Sequence, residues 1–240
     1  MRFCIAILAT LCALPLRAAE TEPSGWPAVS LESLAERADL VALVQVRDTD
    51  YLKRREIPVS GSAYLKVLIP YKADQPADLV EVYEKGLHPG ECYFPDRTVF
   101  EEGRRYLVFL VRDPEDDQRY RGLREGCALD ILVRSDNRYA LRYPPTGIRL
   151  SDILKPLARE MDFTDPYAVV ADESLPSAQR DRMRDDGDII PFEAPPAETE
   201  TGNDRWLPPS ESGNTLWRFT RGVPLGEVRR LLGLDQETSR

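Results

Sequence analysis

Residues 31–47 read LESLAERADLVALVQVR, and the change of period inside this stretch decides the fold class. In its first half Leu31, Leu34, Ala35 and Ala38 recur at i, i+3, i+4 and i+7, behind Ser30 as a helix N-cap. From Leu40 to Arg47 the helical period gives way to a β-branched, apolar run, which reads as a strand. Working outward, Ala63–Ile69 places Ala63, Leu65, Val67 and Ile69 on one face, and Leu79–Glu84 interleaves charges with apolar residues. Tyr106–Val111 (YLVFLV) is apolar on both faces, as a fully buried strand should be. Ala128–Arg134 and Arg138–Tyr143 are joined by a tight Ser135-Asp136-Asn137 connection. One helix followed by six short strands predicts a small closed or sandwiched β structure, with Gly86–Gly90 and Asp113–Asp117 as further connections.

After Thr146 the pattern changes. Ser151 is placed to cap a helix carrying Ile153, Leu154, Leu157, Ala158 and Met161 on one face. Residues 172–200 are charged and proline-rich with no useful strand run, and 193–213 (EAPPAETETGNDRWLPPSESG) reads as an irregular linker. Leu216–Thr220 is a short strand candidate. Pro224 then opens a helix with Leu225, Val228, Leu231 and Leu232 on one face and Gly233 as terminator, and such a helix must dock on the core.

The ends and the composition set the address. Arg2, the apolar stretch Phe3–Leu16 and small residues before Glu20 follow the order of a secretory signal peptide, so residues 1–19 are expected to be removed. The leucine directly before Cys12 argues against lipidation. Losing Arg2 and Arg17 takes the formal charge from -9 to -11. An acidic chain of this kind lacks the basic face of a nucleic-acid binder, and no internal apolar run reaches the roughly 20 residues of a membrane-spanning helix. Cys92 and Cys127 are then the two cysteines of the exported chain; they read most simply as one disulfide, with two separate buried thiols as the alternative.

The stretches Leu34–Val46, Cys92–Leu110 (CYFPDRTVFEEGRRYLVFL) and Cys127–Val133 together resemble netrin-like domains, the OB-type barrels shared with tissue inhibitors of metalloproteinases and exported bacterial proteins of unknown role. The likeness covers about residues 31–134. It implies a mainly β (α+β) fold: a netrin-like or OB-type barrel over residues 28–146 preceded by a short helix, and a helical, partly irregular extension over 147–240. It also implies that Cys92 and Cys127 tie the barrel together. The metal-chelating cysteine at the mature N-terminus of the inhibitors has no counterpart here, so that activity does not carry over.

Catalytic chemistry finds little support. His88 is the single histidine and lies in Gly-Leu-His-Pro-Gly, a loop, and no Gly-x-Ser-x-Gly elbow occurs. The runs Asp113–Asp117 and Asp185–Asp188 could attract a cation, but neither follows the alternate spacing of a calcium loop, and Arg180, Arg182 and Arg184 flank the second. Lys53, Arg54 and Arg55 form a basic cluster after the first strand, where OB-type barrels often bind ligands. Tyr64, Tyr83, Tyr106, Tyr120, Tyr139 and Tyr143 read as core or barrel-wall residues. The expected role is that of an exported, non-enzymatic module that binds another envelope or extracellular protein, with no cofactor or metal. A hydrolase or hydrolase accessory using unidentified carboxylates, and a small-ligand or cation binder, are the alternatives.

Overall fold

The computed structural model describes residues 29–55, 57–84, 100–123, 126–145, 150, 152–193 and 215–234. The expected signal peptide, His88, Cys92 and Ser151 lie outside these residues, as does all of the expected linker but Glu193.

Helix α1 (Leu31–Arg37) starts where the sequence places it: the Ser30 side chain accepts a hydrogen bond from the Ser33 N–H. Lys72 closes its other end by donating to the Ala35 and Glu36 carbonyls. Seven strands follow: β1 (Leu40–Arg54), β2 (Ile57–Lys72), β3 (Leu79–Glu84), β4 (Arg105–Asp113), β5 (Asp116–Gly122), β6 (Ala128–Val133) and β7 (Tyr139–Tyr143). The first five close on themselves in the order β1-β2-β3-β5-β4-β1. All neighbours are antiparallel except β3 and β5, which run parallel. The chain is therefore mainly β, with a closed five-stranded barrel.

Strand periodicity sorts the side chains into two cores. Leu40, Ala42, Val44 and Val46 of β1 and Tyr106, Val108 and Leu110 of β4 fill the barrel with Ala63, Leu65, Val80 and Val82. The alternate residues Val41 and Leu43 of β1 and Leu107 and Phe109 of β4 face outward, and they too are buried. Leu31, Leu34 and Ala35 of α1 cover them from one side.

The rest of the outer cover comes from the C-terminal third, and here the structure corrects the sequence. β8 (Arg159–Glu160) and β12 (Arg221–Pro224) extend the barrel's own sheet beyond β7, so the sheet crosses the boundary expected at residue 146. The helix expected after Ser151 is a 3₁₀ turn over Asp152–Leu157; Pro156 sits inside it, and Ile153, assigned to the buried face, is exposed while Leu154 is buried. The stretch 172–200, expected to hold no useful strand run, carries strand β10 (Ile189–Phe192) after helix α2 (Ser177–Asp185). β10 pairs with β11 (Leu216–Phe219), which pairs with β9 (Val169–Ala171), giving a separate three-stranded sheet. The extension is thus strand-bearing. Helix α3 (Leu225–Leu231) follows Pro224 and ends at Gly233 in a left-handed conformation (φ 70°), with Val228 and Leu232 buried against Leu107 and Phe109's core. No helix among the described residues is long and apolar enough to cross a membrane.

Ending the chain at Pro224 would uncover this outer core, since Val228 and Leu232 each contribute about 1.5–3 kcal/mol by burial. The truncated protein should melt well below the full chain in a thermal scan. Gly61, at φ 138°, lies so close to β1 that an added Cβ would sit 2.1 Å from the Asp50 carbonyl oxygen. Gly61→Ala should therefore destabilise by at least about 2 kcal/mol in urea titration.

Candidate functional site

Two groups of polar side chains stand out: a buried network where the barrel meets the C-terminal third, and an exposed ribbon at the far end of β1 and β2.

The network begins with β6, whose alternation puts Asp130 on the same face as Ala128 and Leu132, between the barrel interior and the core beneath the three-stranded sheet. One oxygen of Asp130 takes Arg104 Nη2 at 2.9 Å and the other takes Arg142 Nη2 at 2.7 Å. Arg104 also reaches Glu101 at 3.2 Å, and its guanidinium lies over the rings of Tyr106 and Tyr167. Burial alone would lower the Arg104 pKa, but Asp130, Tyr106 and Glu101 outweigh it and hold the pKa above its ordinary value. Arg142 lies over Phe219 of β11, 4.5 Å from the ring centre. Beside this hub Asp165 accepts from the backbone N–H of Val133 and of Tyr167 and faces Arg105 at 3.4 Å, while the Tyr167 hydroxyl donates to the Glu102 carbonyl. These groups hold one another across the junction.

The acidic runs resolve in the same way. Asp113 ends β4 with its carboxylate fully buried, 2.6 Å from Arg119 Nε and 2.8 Å from Arg121 Nη2, and accepts the Glu115 N–H. Burial pushes its pKa up, yet the Glu115 N–H and the two arginines prevail and hold it below the ordinary carboxylate value. Asp185–Asp188 ends α2: Asp188 is buried and paired with Arg221 at 3.0 Å, and Arg184 holds Asp185. Arg221, remote in sequence, therefore balances Asp188, whereas Arg180 is engaged by Asp172. Among the described residues no cluster of His, Cys, Asp and Glu is placed to hold a metal ion.

The ribbon has the opposite character. Among the described residues β3 pairs with β2 over Gly61–Lys66, and β4 pairs with β1 over Leu40–Gln45. Beyond them Leu52–Arg54 and Ile57–Ser60 pair with each other, with no third strand beside them among the described residues. Lys53 and Arg54 belong to β1 rather than to a loop, and Arg55 turns the hairpin at φ 53°. All three are exposed, and none has an ion pair or side-chain hydrogen bond among the described residues. Leu52, which sequence reasoning missed, is 65% exposed. Toward the barrel the same outer face carries Asp48 and Asp50 on β1, opposite Tyr64 and Ser62, and Glu81 on β3. Glu81 chiefly, then desolvation and Asp50 and Asp48, raise the Tyr64 pKa. Tyr83 lies on this face too, with Arg119 stacked on its ring, whereas Tyr106 and Tyr120 are interior. Cys127 is buried in the barrel core just ahead of β6.

No family model, curated protein or solved structure matches the chain.

The two regions should respond differently to substitution. Asp130→Ala leaves Arg104 and Arg142 buried without their shared carboxylate and should destabilise by about 3–5 kcal/mol, whereas Lys53→Ala, Arg54→Ala or Arg55→Ala should stay within about 0.5 kcal/mol in denaturant titration. The pH dependence carries a sign for each group. Asp113, with its folded pKa depressed, contributes stability that is present above the ordinary carboxylate pKa and is lost on acidification through the folded value. Asp165 and Asp188, both raised by burial, contribute stability that is present at acid pH and lost as the pH rises through their folded values. Urea titrations across the acid range should show Asp113→Asn losing less stability on acidification than the parent, and Asp165→Asn losing more.

Proposed function

We propose that the chain is an exported, non-enzymatic protein-binding module built on a netrin-like, OB-type barrel and acting in the cell envelope or extracellular space. The observation that carries this reading is the β1–β2 ribbon: an exposed leucine beside three exposed cations that have no ion pair among the described residues, on a molecule that ties the buried Asp130 and Asp113 to arginines. The barrel order, with its parallel β3–β5 contact, supports the OB-type part of the reading, because the loop between the first two strands is one of the places where such barrels present ligands. An exposed apolar side chain ringed by arginine and lysine suits a protein surface with a small apolar recess and carboxylates around it. The reading includes export directed by residues 1–19 and a disulfide from Cys127 to Cys92.

A photo-crosslinking amino acid in place of Leu52, introduced in the producing cell, should yield a protein adduct outside the cytoplasm. That adduct should be lost when Lys53, Arg54 and Arg55 are all changed to Ala. Recovery of the unprocessed chain in the cytoplasm, or no adduct from probes at Leu52, Lys53 and Arg55, would reject the reading. Thiol titration of the denatured, unreduced exported chain should find no free thiol.

A further inference from the structure

The ribbon presents opposite charges at its two ends on one face. Strand alternation sends Thr49 and Tyr51 toward the barrel side, where Tyr51 packs against the core, and leaves Asp48, Asp50, Leu52 and Arg54 on the outer face. Read along β1 the outer pattern is acidic, acidic, apolar, basic, with Lys53 and Arg55 beside the basic end. Asp48 and Asp50 have no cationic partner among the described residues, and neither has Arg54 an anionic one. Asp48 and Arg54 are six steps apart, about 20 Å along a strand, so these two cannot satisfy each other within one ribbon.

A second ribbon laid across it in the opposite direction can. With a twofold axis at Tyr51, position i meets position 102 − i, which sets Asp48 against Arg54 and Asp50 against Leu52, and Arg54 then lies one step diagonally from Asp50 as well. The same contacts repeat on the other side of the axis, as an isologous interface requires. Glu81 adds to the acidic end from β3, and the two Leu52 side chains flank the axis and lose their water. A parallel arrangement would set acid against acid and base against base. Glu56, which follows the cations, lies outside the described residues.

We propose that the partner of the β1–β2 ribbon is a second copy of this chain, bound about a twofold axis near Tyr51 with Arg54 of each copy on Asp48 and Asp50 of the other. The inference rests on the reading of the ribbon as a protein-binding element and names what it binds.

Sedimentation velocity of the purified exported chain over a wide concentration range tests it. At low salt the chain should associate to a dimer, and in about 1 M salt, where the screening length is about 3 Å, the association should weaken at least about tenfold. The pair Lys53→Glu with Arg54→Glu, and the pair Asp48→Lys with Asp50→Lys, are substitutions at exposed positions. Each variant should melt like the parent and sediment as a monomer, and mixing the two should restore a one-to-one complex. A parent chain that stays monomeric at low salt, variants that associate as the parent does, or a mixture that fails to pair would overturn the proposal. An adduct from the Leu52 probe that contains only a different protein would overturn it as well, while leaving the ribbon's role in protein binding standing.

Discussion

Burial of β1 and β4 on both faces is the constraint from which the rest of the structure follows. A barrel strand needs only its inner residues to be apolar, because its outer face can meet water. In β1 and β4 the outer residues Val41, Leu43, Leu107 and Phe109 are as dry as the inner ones. A second layer must therefore lie over these two strands, and the chain supplies it from both of its ends. Helix α1 enters ahead of β1, and α3 returns from the last described residues to lie over the same side chains. β12 reaches that position by pairing with β7, which carries the C-terminal third into the barrel's own sheet.

Charge follows the same geometry. Where the C-terminal third closes over the end of the barrel, it buries arginines, and each buried arginine is matched by a carboxylate or an aromatic face. Asp130 joins Arg104 to Arg142, and Arg142 in turn lies on Phe219 of the second sheet. A carboxylate shared by two guanidiniums suits a junction well, since burying either arginine alone would carry a desolvation penalty of several kcal/mol. These pairs are best read as fasteners between two parts of one fold. The ribbon is where such matching stops.

Much of this was legible in the sequence and some was not, for definite reasons. The helix at Leu31, the strands through Tyr143 and the terminal helix were carried by strong local periods, and Tyr106–Val111 announced its two-sided burial directly. β5 was hidden because Asp116–Gly122 is DDQRYRG, with Tyr120 as its one buried side chain; only pairing with β4 makes it a strand. β8 and β12 are too short for any period to register, and they exist because β7 offers an edge. The cluster Lys53–Arg55 is visible as charge, but the apolar run that marks the strand stops at Arg47, so no local period flags Leu52 or the alternating Asp48 and Asp50. Extending the alternation past the bulge at Arg47 would have placed all four outer residues on one face.

The length of β1 and β2 is itself informative. Two strands alone in water are marginally stable, and Leu52, Lys53, Arg54 and Arg55 add nothing to either core. Gly61 marks where the ribbon leaves the barrel: its backbone conformation brings β2 against Asp50 more closely than any side chain would permit. Up to that point each residue of the hairpin is explained by closure of the barrel. Beyond it no third strand flanks the pair among the described residues, and β1 carries exposed apolar and basic side chains on a chain of net charge -9. At physiological ionic strength the screening length is about 8 Å, so the remote acidic surface does not neutralise cations set at the end of such an arm. What approaches the tip encounters the tip's own charge, and that local sign, rather than the molecule's net charge, governs recognition there.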